Sequence, residues 1–222
     1  MSILTKTEIR ELIKNKKLGF EPGLDAFQLQ PHAIDLRLGY TFRIPKTWKV
    51  TKDGRKSIQV DPLDYNGHED NFEQVILKPG QYFEILPREF IIVSTLEKII
   101  INDDRLMAVL YPRSSVNRRG LAVDLTGIID VWYSGQLMIP LLNNTQTQTI
   151  RIYPGERICQ VAFDQLSSPI DKMEAYQHGL TKAKYLSSTD TSLNYQIDKK
   201  SEIDLVKKGD ILQLKNKYQI KY

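Results

Sequence analysis

The sequence predicts a mainly β fold, a distorted β-barrel or jelly roll that is preceded by one short N-terminal helix. Short runs that alternate apolar and polar residues, or that are rich in β-branched residues, recur along the middle of the chain. Turn sequences stand directly before two of these runs, Lys-Pro-Gly at residues 78–80 and Tyr-Pro-Gly at residues 153–155. Many short strands joined by regular turns are typical of β-sandwiches and barrels.

The predicted helix comes first, and the predicted strands follow it along the chain. Thr5 and Glu8 have the spacing of a capping box, which predicts a helix that begins directly after Thr5. Residues 51–75 are polar and rich in turn residues, so we interpret them as a long excursion between strands. The predicted strands comprise residues 34–38, 81–86, 90–93, 105–110, 122–125, 136–142, 149–153 and 158–163.

The composition changes near the C-terminus, which predicts three regions. Residues 1–175 form the β domain, and residues 176–200, which are rich in Gly, Ser, Thr, Asn and Lys, form a flexible arm over the active site. Residues 201–222 form a lysine-rich extension, with a small hairpin expected at residues 203–220. From residue 199 onward there are seven lysines against three acids, an excess of four that equals the net charge of the whole chain.

Composition limits the class of protein. The chain has 222 residues, 41% of them hydrophobic, which is enough to bury a core. Its 31 basic residues are nearly balanced by 27 acidic ones, so nucleic acid is not expected as a partner. The single cysteine, Cys159, excludes an internal disulfide framework and fits a reducing, cytoplasmic location. No apolar run approaches the ~20 residues of a membrane span, and the N-terminus lacks a signal-peptide pattern, so no membrane association is expected.

A cation followed by two hydroxyls, Arg113-Ser114-Ser115, is suited to phosphate oxygens. A guanidinium group matches phosphate oxygens in pairs, and the hydroxyls donate to the remaining lone pairs. Arg118 follows about one helical turn later. If Pro112 opens a short helix, the free N–H groups of that helix also face the anion. The alternative interpretation is an exposed basic turn without a ligand.

A second candidate site lies about a dozen residues further on, at residues 127–135 (Gly-Ile-Ile-Asp-Val-Trp-Tyr-Ser-Gly). A β-branched run ends there in a carboxylate, Asp130, which is followed by aromatic residues and a turn. Asp130 is either solvated at a strand end or held for chemistry, and Tyr133 either packs at the rim or stacks on a ligand. A phosphate binder, an acid that can activate water and a stacking ring together indicate an enzyme that acts on a nucleotide.

Four ordered motifs resemble those of the trimeric dUTPase and dCTP deaminase superfamily. They are residues 33–39 (Ala-Ile-Asp-Leu-Arg-Leu-Gly), residues 95–97 (Thr-Leu-Glu) with 112–115 (Pro-Arg-Ser-Ser), residues 127–135, and residues 154–160 (Pro-Gly-Glu-Arg-Ile-Cys-Gln). The resemblance covers roughly residues 1–198. It implies a dUTPase-type β-clip fold, a homotrimer with active sites at subunit boundaries, and a deoxynucleoside triphosphate as substrate.

The resemblance also implies a role for each matching residue. Asp130 orients or deprotonates the attacking water, and Mg²⁺ bound to the triphosphate neutralises its charge. Tyr133 packs on the deoxyribose, and the hairpin of residues 125–129 offers backbone groups to the base. Asp35 lies near the water molecules of the metal ion, which it contacts indirectly. The implied substrate-binding residues are Arg113, Ser114, Ser115, Arg118, Gly127, Ile129, Tyr133, Gln160, Lys184 and Tyr185, the last two in a lid.

One position bears on the choice between the two reactions of this superfamily. In the deaminases a glutamate acts as general acid and base, five residues after the turn that matches Ser134-Gly135, and this chain has Pro140 there. One Cys and three scattered His residues give no zinc cluster to replace it. The sequence therefore predicts hydrolysis of dUTP to dUMP and pyrophosphate with Mg²⁺. Two alternatives stay open: a dCTP deaminase that forms dUTP and ammonia, with or without hydrolysis of its product, and a non-catalytic nucleotide-binding regulator, which the lysine-rich tail suggests.

Overall fold

The computed structural model describes residues 2–61, 63, 71–124, 127–182 and 198–220. The strands are β1 (Ser2–Ile3), β2 (Leu18–Glu21), β3 (Ile34–Pro45), β4 (Trp48–Thr51), β5 (Gly54–Ser57), β6 (Phe72–Ile76), β7 (Phe83–Ile85), β8 (Phe90–Ile101), β9 (Leu106–Pro112), β10 (Leu121–Val123), β11 (Ile128–Ile129), β12 (Ser134–Asn143), β13 (Ile150–Ile152), β14 (Arg157–Gln165), β15 (Gln177–His178) and β16 (Thr181–Lys182). The helices are α1 (Lys6–Lys14), α2 (Ser114–Asn117), α3 (Lys172–Ala175), α4 (Lys200–Lys207) and α5 (Ile211–Lys217).

One large antiparallel sheet organises the molecule. Its strands run in the order β10-β12-β8-β3-β14-β9-β11, and β1, β2 and β6 pair onto β14, β8 and β3. The register shifts in β12, in β14 and between β3 and β8, and such irregularities bend strands and increase their twist. The sheet therefore curls into a half-barrel, and the predicted mainly β class is confirmed.

The core fills the inside of this curled sheet. The side chains of β3 and β8 that point inward are almost completely buried, as the alternating pattern of these strands predicts. Phe42 of β3 stacks on Phe83 of β7 with ring centroids 4.7 Å apart, and Phe163 of β14 meets Phe20 of β2 edge-on at 6.4 Å. Each fully buried side chain of this size stabilises the fold by about 1.5–3 kcal/mol.

The N-terminal helix begins as the capping box predicts. The Thr5 hydroxyl oxygen accepts the Glu8 N–H at 3.5 Å, and a Glu8 carboxylate oxygen accepts the Thr5 N–H at 2.7 Å. This reciprocal pair satisfies two backbone donors that a helix start leaves free. Ile9 on the inner face of α1 is completely buried, so the helix packs against the sheet.

Two regions differ from the sequence-based predictions. The excursion at residues 51–75 overlaps the β4–β5 hairpin, which spans residues 48–57, and it contains most of β6, which pairs with β3. The hairpin expected at residues 203–220 is wrong, because this segment forms the helices α4 and α5. Burial of Ile203 and Leu205 favours α4, and Gly209, at φ 73°, allows the chain to turn between the two helices. The side chain of Asp210 then caps α5 by accepting the Gln213 N–H at 3.2 Å.

A glycine marks the point where β3 and β8 come closest. A Cβ atom on Gly39 would lie 2.5 Å from the Ser94 hydroxyl oxygen and 2.8 Å from the Thr95 carbonyl oxygen. We expect Gly39→Ala to lower the free energy of unfolding by about 2 kcal/mol, because the backbone of β8 must shift to admit the methyl group. Urea unfolding measures this change. Gly23→Ala is the matched control, since a Cβ there meets nothing within 4 Å, and equal stability of the two variants would contradict the prediction.

Candidate active site

Three neighbouring strands bring the first, second and fourth motifs together. β14 lies between β3 and β9, and its Gln160 is paired with Asp35 on one side and Tyr111 on the other. Arg113 follows directly after β9 at the same end of the sheet. The amide of Gln160 donates a hydrogen bond to the Pro112 carbonyl oxygen at 3.4 Å. Residues that are far apart in sequence therefore form one polar cluster at this edge.

Asp35 is the centre of this cluster. One of its carboxylate oxygens accepts hydrogen bonds from Arg157 Nη1 at 3.1 Å and from the Gln30 amide at 3.4 Å, and the same oxygen forms an ion pair with Arg113 Nε at 3.1 Å. Burial raises the pKa of Asp35, while the two guanidinium groups act in the opposite direction. Arg113 also donates to the Arg157 carbonyl oxygen at 2.8 Å. Asp35 thus fixes the orientation of two arginines, and Arg157 is a member of the cluster that the sequence-based prediction missed.

The two serines of the phosphate motif lie in the first turn of α2, where they are exposed together with Arg118. The expectation that Pro112 opens this helix is wrong. Pro112 is the last residue of β9, where it pairs with Cys159, and Arg113 is extended, so the helix starts only at Ser114. The two hydroxyls and the Arg118 guanidinium nevertheless lie in the same short turn.

A buried hydrogen-bond network lies next to this cluster, and it explains the presence of the motif at residues 95–97. The Glu97 carboxylate accepts the Arg37 N–H at 2.8 Å and the Gln28 side-chain amide at 2.7 Å. Gln28 also donates to the Asp35 carbonyl oxygen at 2.9 Å. Burial raises the pKa of Glu97, which is 1% exposed. Glu97 therefore tethers β8 to β3 next to Asp35, which is a structural role.

Asp130 lies outside this cluster, directly after β11. Its side chain is 42% exposed, and one carboxylate oxygen lies 3.4 Å from Nε2 of His178. The two residues border a groove of about 300 Å³, whose other lining residues are Met107, Ile128, Val131, Leu166, Ile170, Glu174, Ala175 and Gln177. His178 was missed by the sequence-based prediction, since nothing in the local sequence around it connects it with Asp130.

The hairpin residues next to Asp130 are held by β9. Ile129 is buried and pairs with Ala108, Ile128 pairs with Val109, and the Gly127 carbonyl oxygen accepts the Leu110 N–H at 3.0 Å. A Cβ on Gly127 would meet only the Leu110 side chain, at 3.4 Å. That Gly127 and Ile129 contact a base stays a prediction. Residues 125 and 126 of this hairpin lie outside the described residues, as do the predicted lid residues Lys184 and Tyr185.

The predicted sugar-stacking residue, Tyr133, belongs to the core of this chain. Its side chain is buried, and its hydroxyl donates to the Gln136 carbonyl oxygen at 3.0 Å. The neighbouring Trp132 adopts the left-handed conformation at φ 64° and donates from its indole to the Ile170 carbonyl oxygen at 3.0 Å. Stacking of Tyr133 on a deoxyribose stays a prediction.

Within one chain the two candidate clusters are far apart. Ile129 is paired with Ala108, so Asp130 lies level with Met107 on β9, and Arg113 follows six residues later. Six residues of extended strand span roughly 20 Å. A single chain therefore does not bring the carboxylate of Asp130 and the guanidinium of Arg113 to the same phosphate group.

Position 140 is part of the sheet. Pro140 lies in β12 opposite Ile92 of β8, and its carbonyl oxygen accepts the Asp124 N–H at 3.2 Å. β10 ends at Val123. The backbone N–H that Pro140 lacks would therefore point to a position just beyond the last paired residue of β10. This explains how a proline is tolerated inside the strand.

The described residues do not build a magnesium site. They contain no group of three or more His, Cys, Asp or Glu side chains that would hold a metal ion. An oxygen of Asp35, the residue predicted to lie near the metal, already forms ion pairs with two arginines. A role for Mg²⁺ stays a prediction. In the part of the chain that the structure describes, no helix has the length and apolar character that crossing a membrane requires.

Comparison with known proteins identifies the family. A family model described as dCTP deaminase-like matches residues 3–166. The chain belongs to the dCTP deaminase-like family. An enzyme of Methanobrevibacter smithii named "dCTP deaminase, dUMP-forming" is 31% identical over 205 residues, which are 90% of this chain and 100% of that protein. An enzyme of the same name from Dictyoglomus turgidum is 36% identical over 171 residues, 76% of this chain and 83% of that protein.

A solved structure supports the fold. The 2'-deoxycytidine 5'-triphosphate deaminase of Agrobacterium tumefaciens superimposes with a TM-score of 0.55 at 24% identity. The match covers 74% of this chain and 49% of that chain, so the present protein spans about half the length of the Agrobacterium enzyme. At this identity the match is evidence for the common fold alone.

The expectation of a dUTP nucleotidohydrolase is wrong. The curated relatives, at 29–36% identity, are named "dCTP deaminase, dUMP-forming". The alternative that the sequence left open, a dCTP deaminase, agrees better with these relatives. Pro140 is a difference at one position, whereas the similarity to these enzymes extends along the chain.

Proposed function

We propose that the protein converts dCTP to dUMP and releases ammonia and pyrophosphate. The observation that carries the proposal is the 31% identity, along the full length of the Methanobrevibacter smithii protein, to an enzyme whose name states this activity. The conversion requires two hydrolytic steps, one at C4 of the base and one at the α-phosphorus. Motifs suited to triphosphate hydrolysis are therefore expected in such an enzyme, which is why they did not distinguish it from a dUTP hydrolase.

The polar cluster around Asp35 is proposed to bind the triphosphate. Arg113 carries a planar guanidinium whose orientation is fixed by Asp35, so little conformational entropy is lost when it meets a phosphate. Arg157 is held by the same carboxylate oxygen and adds a second positive charge. Exposed hydroxyls and amides next to these arginines donate to the remaining oxygens. The proposed triphosphate-binding residues are Arg113, Ser114, Ser115, Arg118, Arg157 and Gln160.

The groove beside Asp130 is proposed to bind the deoxynucleoside. Asp130 is a half-exposed carboxylate that accepts a hydrogen bond from a water molecule and so orients it for attack. The implied contacts of Gly127, Ile129 and Tyr133 with the base and sugar stay predictions, since none of the three lines the groove. Mg²⁺ is expected to arrive bound to phosphate oxygens, where it would neutralise charge, because it keeps its own waters and needs few protein ligands.

Two copies of the chain are proposed to form each active site. The separation of roughly 20 Å along β9 between the level of Asp130 and Arg113 is too large for both to act on one triphosphate from the same chain. A neighbouring copy in a symmetric homotrimer brings its own Arg113 next to the first copy's Asp130. This arrangement also gives the exposed side chain of Ile128, beside Asp130, a partner surface.

A product assay tests the proposed function. The purified protein is incubated with dCTP and Mg²⁺, and ammonia, pyrophosphate and dUMP are quantified over time. We expect the three products in equal amounts. Release of pyrophosphate from dUTP without any release of ammonia from dCTP, under the same conditions, would contradict the proposal.

A further inference from the structure

Deamination requires a group that moves protons at C4, and Pro140 has none to offer. Loss of ammonia from a cytosine requires a general base for the attacking water and a general acid for the leaving amine. If the proposed function holds, another side chain must supply both. Within the described residues, His178 combines an imidazole with direct contact to the groove and to Asp130.

We propose that His178 is the general acid and base of the deamination step and that Asp130 orients it. This inference rests on the proposed function. Nε2 of His178 lies 3.4 Å from the Asp130 carboxylate, and in the proposed site this nitrogen carries the proton while Nδ1 is the acceptor. The carboxylate stabilises the imidazolium that forms when Nδ1 takes up a proton. Nδ1 is on the other side of the ring from Asp130, which leaves it free to meet water at the base.

The groove beside Asp130 and His178 is suited to the deamination step. Most of its wall is apolar, from Met107, Ile128, Val131 and Ile170, and its volume of about 300 Å³ is sufficient for a pyrimidine ring. Apolar walls lower the effective dielectric constant on one side of the pair and so strengthen the interaction between the carboxylate and the imidazolium, while both side chains stay about half exposed to solvent.

One imidazole is sufficient for all the proton transfers of the deamination. Water adds across C4=N3: its oxygen bonds to C4, and one of its protons passes through Nδ1 to N3. The C4–N bond then breaks while the imidazole carries the hydroxyl proton to the amino group, so ammonia leaves and C4=O forms. Each transfer returns His178 to its neutral form, and no oxidant or reductant is required.

Titratable groups lie on both sides of the β15–β16 hairpin. Asp130 and Glu174 line the groove that His178 borders. His178 also borders a second groove on the other side of the hairpin. The titratable groups that line this second groove are Asp198, Lys199, Glu202, Lys215 and Tyr218.

The variant His178→Gln tests the inference with two readouts on the same protein. We expect the rate of ammonia release from dCTP to fall about 100-fold, because the amide neither accepts nor donates the proton. Pyrophosphate release from dUTP supplied directly is expected to fall far less than ammonia release, since that step needs no proton at C4. His32→Gln, at an exposed histidine outside both grooves, is the matched control and should leave both rates unchanged.

Chemical rescue supplies an independent test. Added imidazole should partly restore ammonia release in His178→Gly, because it supplies the missing proton-transfer group.

Three outcomes would overturn the inference. Ammonia release by His178→Gln at nearly the wild-type rate would overturn it, and so would an equal loss of ammonia and pyrophosphate release. The absence of ammonia release by the wild-type protein itself would overturn the proposed function together with this inference, which distinguishes the two failures.

Discussion

Replacement of Asp130 by Asn is expected to reduce dUMP formation from dCTP by about 10³-fold. The amide has nearly the same shape as the carboxylate, but it carries no charge to orient the water and to stabilise a protonated His178. The side chain is half exposed and lies at the rim of the groove, so the fold should not change. Binding of the nucleotide should be retained, because the triphosphate is held by the arginine cluster.

Steady-state kinetics and calorimetric binding of a non-hydrolysable dCTP analogue separate these two effects. Asp104→Asn is the matched control, because Asp104 is an exposed carboxylate that does not line the groove. An Asp130→Asn protein that keeps more than about a tenth of wild-type turnover would contradict the assigned role, since proton transfer by a positioned group contributes about 10²–10⁴-fold.

Replacement of Arg113 by Gln is expected to weaken binding of the dCTP analogue by about 100-fold and to lower kcat/KM by the same factor. The variant loses a charge-assisted hydrogen bond to the phosphate, and it also loses the contact that holds Arg157 through its carbonyl oxygen. The control is Arg151→Gln, whose guanidinium pairs with the exposed Glu84 at 2.7 Å on another part of the surface. Equal affinity of the two variants for the analogue would contradict the role of Arg113.

The same variant should change how stability depends on pH. Burial already raises the pKa of Asp35, and Arg113 is the first of the charges that oppose this rise. Without Arg113 the pKa rises further, so the folded state favours the protonated carboxyl and loses stability as the pH increases from about 4 towards neutrality. The loss in free energy of unfolding relative to wild type should therefore be largest near neutral pH and should shrink at acidic pH. Urea unfolding at several pH values measures this trend.

Much of the fold could be predicted from local sequence patterns. Period-two alternation at residues 34–38 and the turns before β7 and β14 are properties of short segments, and the capping box at Thr5 is a contact between residues three positions apart. The C-terminal segment was assigned wrongly because its apolar residues fit both a strand and a helix. Burial of Ile203, a tertiary effect, favours the helix.

The sequence predicted only those site residues whose role a family motif implies. Asp35, Arg113 and Gln160 each belong to a motif, and the β3-β14-β9 order explains why they lie together. Arg157 also belongs to the fourth motif, but its contact with Asp35 joins positions 122 residues apart, and His178 reaches Asp130 from a separate hairpin, so no local pattern indicates either contact. The reaction was misjudged because the absence of one side chain says nothing about a replacement that arrives from elsewhere in the fold.

Mixing two inactive variants tests most directly whether the site is built from two copies of the chain. Asp130→Asn and Arg113→Gln chains are co-expressed in equal amounts, and dUMP formation from dCTP is compared with that of each variant alone. If Asp130 of one copy acts with Arg113 of its neighbour, about a third of the sites in mixed trimers, and about a quarter of the sites in the whole preparation, contain both original residues, so activity returns to roughly a quarter of wild type. Activity that stays at the level of the separate variants would contradict a shared site.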